Sequence, residues 1–234
     1  LTIGDSFSKQ AEYGYQNYLS NDTLSVIHYN KNTNSIQTLN NLINGDFFEK
    51  IKVKYVILET VERWAAKRAR KELINQSKKL NFDEIIKLED TLTDKILIKK
   101  RDINSRKTLF RRQVIQFPLV NIFRELDDNS LISKTYKVET NNYNFSVNKK
   151  DLLFYSESLI NQKFSSNSDL IENLNNQLNI LNTRLEKKGI KLIVLIVPTK
   201  YDIYYDNISN KKKYSKPHFF EKFKKYAKEY KYLE

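Results

Sequence analysis

The chain opens with LTIGDSFSKQ (residues 1–10), in which an apolar run, Leu1 to Ile3, stops at Gly4-Asp5-Ser6 and passes straight into a polar segment of helical pattern. Two readings compete. In one, a buried strand ends in a tight turn that delivers the Ser6 hydroxyl to the mouth of a sheet. In the other, Ser6 or Asp5 merely caps a helix. A Ser at a strand-to-helix turn lies where backbone N–H groups are unpaired and the helix dipole favours developing negative charge. The same turn can therefore supply a nucleophile and part of an oxyanion hole. Gly4 permits the close turn, and Asp5 can brace it by hydrogen bonding. On these residues alone the cap is the better reading, so the rest of the chain has to decide.

Outward from this point the pattern alternates. Leu24–Tyr29 (LSVIHY) reads as a second strand. From Ser35 to Phe48, Ile36, Leu39, Ile43 and Phe47 recur at helical spacing. Val53–Val61 is a continuous apolar strand of the kind buried on both faces of a parallel sheet. Residues 63–80 read as a basic helix of good helix formers. The pattern loosens over about 81–163, which is read as an insertion decorating the sheet's edge or forming a lid. It holds a short helix at Asp83–Leu88, a basic stretch over 99–112, and an alternating segment, 134–147, that predicts a hairpin turning near Asn141-Asn142.

Order returns at Ser166. Leu170, Leu174, Leu178, Leu181 and Leu185 form one apolar stripe, Ser166 with Asp169 suggests a capping box, and Gly189 reads as the stop. Ile190–Val197 is the clearest buried strand, ended by Pro198. The tail from Pro217 to Tyr232 predicts a final basic amphipathic helix. This alternation predicts a three-layer α/β/α sandwich on a mostly parallel sheet. In such sheets ligands bind beyond the carboxyl ends of the strands, where GDSFS, ETVERW and PTKYDIYYD would fall.

Composition bounds the partners. The 234 residues suffice for one α/β domain with an insertion. Lys and Arg number 41 against 28 Asp and Glu, a formal charge of +13, which suits an anionic partner: nucleic acid, acidic polysaccharide or lipid surface. With no cysteine there is neither a disulfide nor a thiolate metal site. Two distant histidines do not make a metal constellation, and four glycines leave no phosphate loop, so no cofactor is expected. No apolar run approaches the roughly 18 residues of a membrane span. The chain also lacks methionine and starts within a strand, and it is read as a piece of a longer protein.

LTIGDSFS resembles the first motif block of the SGNH, or GDSL, hydrolase superfamily. YVILETVERW and LIVLIVPTKYDIYYD resemble segments of the branch related to alginate O-acetylation proteins (AlgJ/AlgX-like and DHHW-type). The resemblance covers about the first 65 residues and 188–207. It implies an SGNH, flavodoxin-like fold, with Ser6 as acyl-accepting nucleophile and the backbone N–H groups of Ser6 and Phe7 as oxyanion donors. Glu62, Arg63, Lys200 and Tyr201 match motif positions and are given site-building roles. Arg63 could pair with Glu62, Glu59 or a substrate carboxylate. A structural salt bridge at Glu62-Arg63 is an equal alternative, and a solvated loop lysine the alternative for Lys200.

A serine nucleophile needs a base, and the resemblance implies an adjacent Asp-His pair. His28, inside a predicted strand, reads as a packed structural imidazole. His218 lies after the last strand, where a base could be supplied, but YSKPHFF holds no Asp two or three residues before it, and Asp202 and Asp206 stand too far upstream. Three accounts stay open: the pair lies beyond Glu234, His218 works with an Asp from elsewhere, or the site only binds. The first is favoured.

The resulting expectation is an O-acetyltransferase or esterase acting on a cell-surface polysaccharide, with an acidic polymer suiting the charge. The alternative is an inactive module that binds such a polymer. Nucleic-acid binding ranks below both, because the 15 Tyr and 13 Phe sit mostly in apolar patterns. The resemblance further implies a place outside the cytoplasm, at the envelope or in the periplasm, beside a membrane-bound acyl donor.

Overall fold

A computed structural model describes residues 1–4, 15–20, 25–30, 34–70, 78–85, 118–119, 121–123, 134–141, 151–227 and 231–233. Five strands form one sheet: β1 (Thr2–Gly4), β2 (His28–Asn30), β3 (Tyr55–Val61), β6 (Lys191–Val197) and β7 (Lys231–Leu233). Their order is β2-β1-β3-β6-β7 and every pairing is parallel. This is a doubly wound sheet whose order reverses at β1 and β3. The separate antiparallel pair β4 (Thr135–Glu139) and β5 (Asp151–Tyr155) accounts for the other two strands.

The two apolar runs that stand out in the sequence form the sheet's axis. β3 and β6 pair from Tyr55↔Lys191 through Val61↔Val197, so their carboxyl ends are level. On one face Val56, Leu58, Leu192, Val194 and Ile196 are buried under helices. These helices are α2 (Ser35–Asn44), α7 (Ser168–Glu186) and α9 (Phe219–Tyr226), with α7 packed between the other two. α1 (Tyr15–Leu19) belongs to the crossover from β1 to β2, which runs the opposite way along the sheet, and right-handed crossovers then place helices on both sides.

The α7 stripe is buried as its spacing predicts, with Ile171, Leu174, Leu178, Leu181 and Leu185 in the main core and Leu170 packed at its border. Gly189, at φ 72°, closes the helix: its N–H donates to Glu186 O, and Ile190 N–H donates to Leu185 O. This is the Schellman arrangement, completed by the apolar pair Leu185 and Ile190, both in the core. The start differs from expectation. Asn167, not Ser166, is the cap, its side chain accepting from Leu170 N–H.

Other boundaries shift for physical reasons. α2 stops at Gly45, where a Cβ would run into the Leu80 backbone (2.8 Å from its carbonyl carbon), and a short α3 (Phe47–Lys50) follows in place of one helix to Phe48. β2 keeps only the end of Leu24–Tyr29, and α4 (Glu62–Arg68) closes at Ala69, while residues 71–77 of the helix read over 63–80 lie outside the described residues. Residues 82–85 are helical, while the rest of the helix expected at Asp83–Leu88 and the basic stretch 99–112 lie outside the described residues. β4 starts the expected hairpin, but its described partner is Asp151–Tyr155, and residues 142–150 lie outside the description. The tail is not one helix to Tyr232: after α9 the chain adds β7 beside β6.

The hairpin strands sit near the carboxyl edge of the sheet. Val138, Leu152 and Phe154 form a small second core with Tyr201, Tyr205 and Ile208, which follow β6. Thr140 bridges Ile208, and Ser209 N–H donates to Glu139 O.

Candidate active site

Parallel neighbours end on the same edge, so the order β1-β3-β6 brings three chain exits side by side: Gly4 from β1, Val61 from β3 and Val197 from β6. Adjacent strands lie about 4.8 Å apart. Asp5, Ser6 and Phe7, which follow Gly4 in sequence, lie outside the described residues.

The exit of β3 leads directly into α4, with Glu62 and Arg63 in its first turn. The exit of β6 leads through Pro198 to Thr199, which caps α8 (Lys200–Tyr204) in a full capping box with Asp202. Thr199 N–H donates to Asp202 Oδ2 at 2.7 Å, and the Thr199 hydroxyl donates to the same oxygen. This box fixes the Asp202 carboxyl on the side toward Glu62.

Glu62 is wholly buried, and its carboxyl faces the Asp202 carboxyl and the Ser165 hydroxyl at the end of α6 (Gln162–Ser165). Burial first, and then the charge of Asp202, push the Glu62 carboxyl from its ordinary 4.5 up to about 8. Asp202 is also raised, chiefly by burial. No ion pair joins Glu62 to Arg63. The Arg63 guanidinium lies 5.1 Å from the centroid of the half-exposed Tyr155 ring, and its buried Nε has no hydrogen-bond partner among the described residues. Of the readings weighed for Arg63, the pairing with Glu62 is therefore not what the structure shows.

Lys200 is pinned rather than free in solvent: its Nζ donates to Leu153 O at 3.2 Å and sits 5.8 Å from the Phe154 centroid. Tyr201 turns inward. It is buried, packs edge-on to Phe154 and Tyr205, and donates its hydroxyl to Ser215 O at 2.7 Å. Burial raises its pKa. Its place is in the wall behind Lys200. β5 thus touches both corners, through Tyr155 at Arg63 and Phe154 at Lys200.

His218 stands immediately before α9, whose N-terminus faces the carboxyl edge because the helix runs back to start β7. Its Nδ1 lies 3.0 Å from Glu221 Oε2, and its N–H donates to Ser166 Oγ at 3.1 Å. The proximity of His218 lowers the Glu221 pKa. A carboxylate thus stands beside His218 from downstream, in the first turn of the helix, where none precedes it in the sequence. The i, i+3 spacing carried that signal. His28, by contrast, shares a 2.6 Å hydrogen bond with Thr2 Oγ1 between neighbouring strands, and its burial lowers its pKa.

Ser165 and Ser166 link the parts: the first faces Glu62 and the second holds the His218 backbone. Sequence reasoning passed over Ser165 and Glu221 and gave Asp202 no role. Among the described residues no three His, Asp or Glu side chains gather as metal ligands, and no helix is long and apolar enough to cross a membrane.

A family model described as an SGNH hydrolase-like domain, acetyltransferase AlgX, matches residues 147–232. The match begins within the stretch read as an insertion and takes in β5, α7, β6, the PTKYDIYYD corner, His218 and α9. The GDSFS and ETVERW segments lie outside it. No curated protein and no solved structure matches the chain. Over residues 147–232, on a parallel sheet flanked by helices, the chain is similar to the SGNH hydrolase-like domain of the acetyltransferase AlgX.

Proposed function

We propose that the protein performs SGNH-type serine acyl-ester chemistry, as an O-acetyltransferase or esterase acting on a cell-surface polysaccharide. The observation that carries this reading is the alignment of three exits, after Gly4, Val61 and Val197, on one carboxyl edge at the sheet's reversal point. The AlgX family match over the last of them supports it.

In this reading Ser6 Oγ attacks the acetyl carbonyl carbon, and its proton passes to His218 Nε2 while Glu221 holds Nδ1–H. The oxyanion is received by the backbone N–H groups of Ser6 and Phe7. The leaving alkoxide takes the proton from His218, leaving an acetyl-serine. A sugar hydroxyl or water then attacks that ester, giving its proton to His218, which passes it to Ser6 Oγ as the acyl–serine bond breaks. The Arg63 guanidinium on Tyr155 suits a sugar ring bearing a carboxylate, and the charge of +13 suits a polyanion. A periplasmic or envelope location and a membrane-bound acyl donor belong to the same proposal.

Turnover of p-nitrophenyl acetate by the wild type, with loss of at least about a hundredfold in S6A and in H218A, is the expected result. Equal rates in wild type and S6A overturn it.

The second reading is a binding module without catalysis. The exposure of the His218–Glu221 pair, with side chains 41 % and 75 % accessible, favours it, since a working base is usually shielded. Salt-sensitive binding of an acidic glycan with no ester turnover supports that reading.

A further inference from the structure

We infer that Glu62 and Asp202 hold one proton between them, and that this bond positions the Arg63 and Lys200 corners of the site. The positioning role rests on the acyl reading above, whereas the shared proton does not.

Four atoms make the case. Both oxygens of wholly buried Glu62, Oδ1 of Asp202 and Oγ of buried Ser165 have no hydrogen-bond partner of good geometry among the described residues, although the three side chains face one another. Buried polar atoms left in this state keep the full cost of losing water. Two ionised carboxylates offer each other no donor and repel. A single proton supplies the donor: protonated Glu62 donates to Asp202 Oδ1, and its other oxygen accepts from the Ser165 hydroxyl. Asp202 is the better anion of the two, because Oδ2 already accepts from the Thr199 N–H and hydroxyl.

The remaining neighbours leave this arrangement in place. Arg63 is the cation facing Glu62, but its guanidinium is stacked on Tyr155 and acts on Glu62 less than burial and Asp202 do. Tyr201 is the titratable neighbour of Asp202, with its hydroxyl committed to Ser215 O. The proton therefore ties the first turn of α4 to the first turn of α8, and so the exit of β3 to that of β6. Arg63 and Lys200 are the next residue in each turn or its start. The bond joins the β3–β6 ladder and the β5 contacts in fixing their separation.

The test uses the full chain and the variants Glu62→Gln and Asp202→Asn. Difference infrared spectroscopy at neutral pH is expected to show a protonated-carboxyl C=O band in the wild type that E62Q lacks. The wild-type Tm is expected to fall as pH rises toward the Glu62 value of about 8, and E62Q, whose amide replaces the proton as donor, to lose that fall. The high-pH loss of acetyl ester turnover should likewise weaken in E62Q. D202N, which removes the anion that accepts the proton, is expected to weaken the fall as well, and N167A, which removes a helix cap away from the pair, serves as the control for mere destabilisation. Absence of the band, or an unchanged Tm dependence in E62Q, overturns the proposal. Neither readout needs an acyl substrate, so a failure here with Ser6 still reactive removes the pair and keeps the chemistry, and the converse result does the reverse.

Discussion

The Glu62 carboxyl, wholly buried in the first turn of α4, faces the Asp202 carboxyl in the first turn of α8. Two acids meet where two adjacent parallel strands end. Such a contact persists only when one acid is neutral, and this gives the stability of the protein a defined pH dependence.

The sign follows from the direction of the shift. Glu62 is raised from 4.5 to about 8, so between those values the folded chain keeps a proton that the unfolded chain has released. Its contribution is complete below the unfolded value. It declines as pH rises, by about 1.4 kcal/mol per pH unit, and levels off above the folded value. Urea unfolding at several pH values across this window should show that slope as the difference between wild type and E62Q.

The cap of α7 gives a prediction that separates neighbours. Asn167→Ala removes the acceptor for Leu170 N–H and should cost about 1 kcal/mol in chemical denaturation. Ser166→Ala leaves that cap intact but removes the acceptor for His218 N–H. It should change stability less and acetyl ester turnover more than N167A does. Equal effects of the two on both measurements would sink the distinction.

Strand β6 and helix α7 were legible because each carries one strong periodicity over a long stretch: alternating burial from Leu192 to Ile196, and the leucine stripe closed by Gly189. β7 was not, because Lys231–Leu233 is three residues long and follows a basic helical pattern that continues into it. Ser166 was read as the cap because a Ser with an acid three residues on fits a capping box, yet Asn167 offers the same chemistry one residue later. The real box, Thr199 with Asp202, was hidden inside a motif read for Lys200 and Tyr201. The Glu-Arg and Pro-Thr-Lys corners could be found because strand ends are visible in sequence. The partners of those corners, Ser165, Asp202 and Tyr155, are set by packing between distant segments, which no local pattern records.

Gly45 tests a close approach rather than a special backbone angle. Gly45→Ala would drive a methyl into the Leu80 carbonyl, and backbone cannot swing aside as a side chain can. A loss of about 1–3 kcal/mol is expected on denaturation. Leu178→Ala, at the centre of the α7 stripe, should cost about 2–5 kcal/mol by leaving a cavity against the sheet.

Arg63 should matter for charged acceptors and not for small esters. With the guanidinium supported by Tyr155, Arg63→Ala should lower kcat/KM for an acidic polysaccharide about tenfold or more, the loss of one charge-assisted contact. The rate on p-nitrophenyl acetate should stay within about twofold. Arg63→Lys, which keeps the charge and loses the planar guanidinium over Tyr155, should recover only part of the difference. A uniform loss on both substrates contradicts a substrate-binding role.

The central claim, that a reactive hydroxyl follows Gly4 at the carboxyl edge of the sheet, is tested most directly by trapping it. The chain is treated with an organophosphonate and the adduct is located by peptide mass spectrometry. The account predicts one phosphonate per chain on Ser6, abolished in S6A and slowed in H218A. A protein left unmodified, or modified elsewhere with Ser6 untouched, contradicts it.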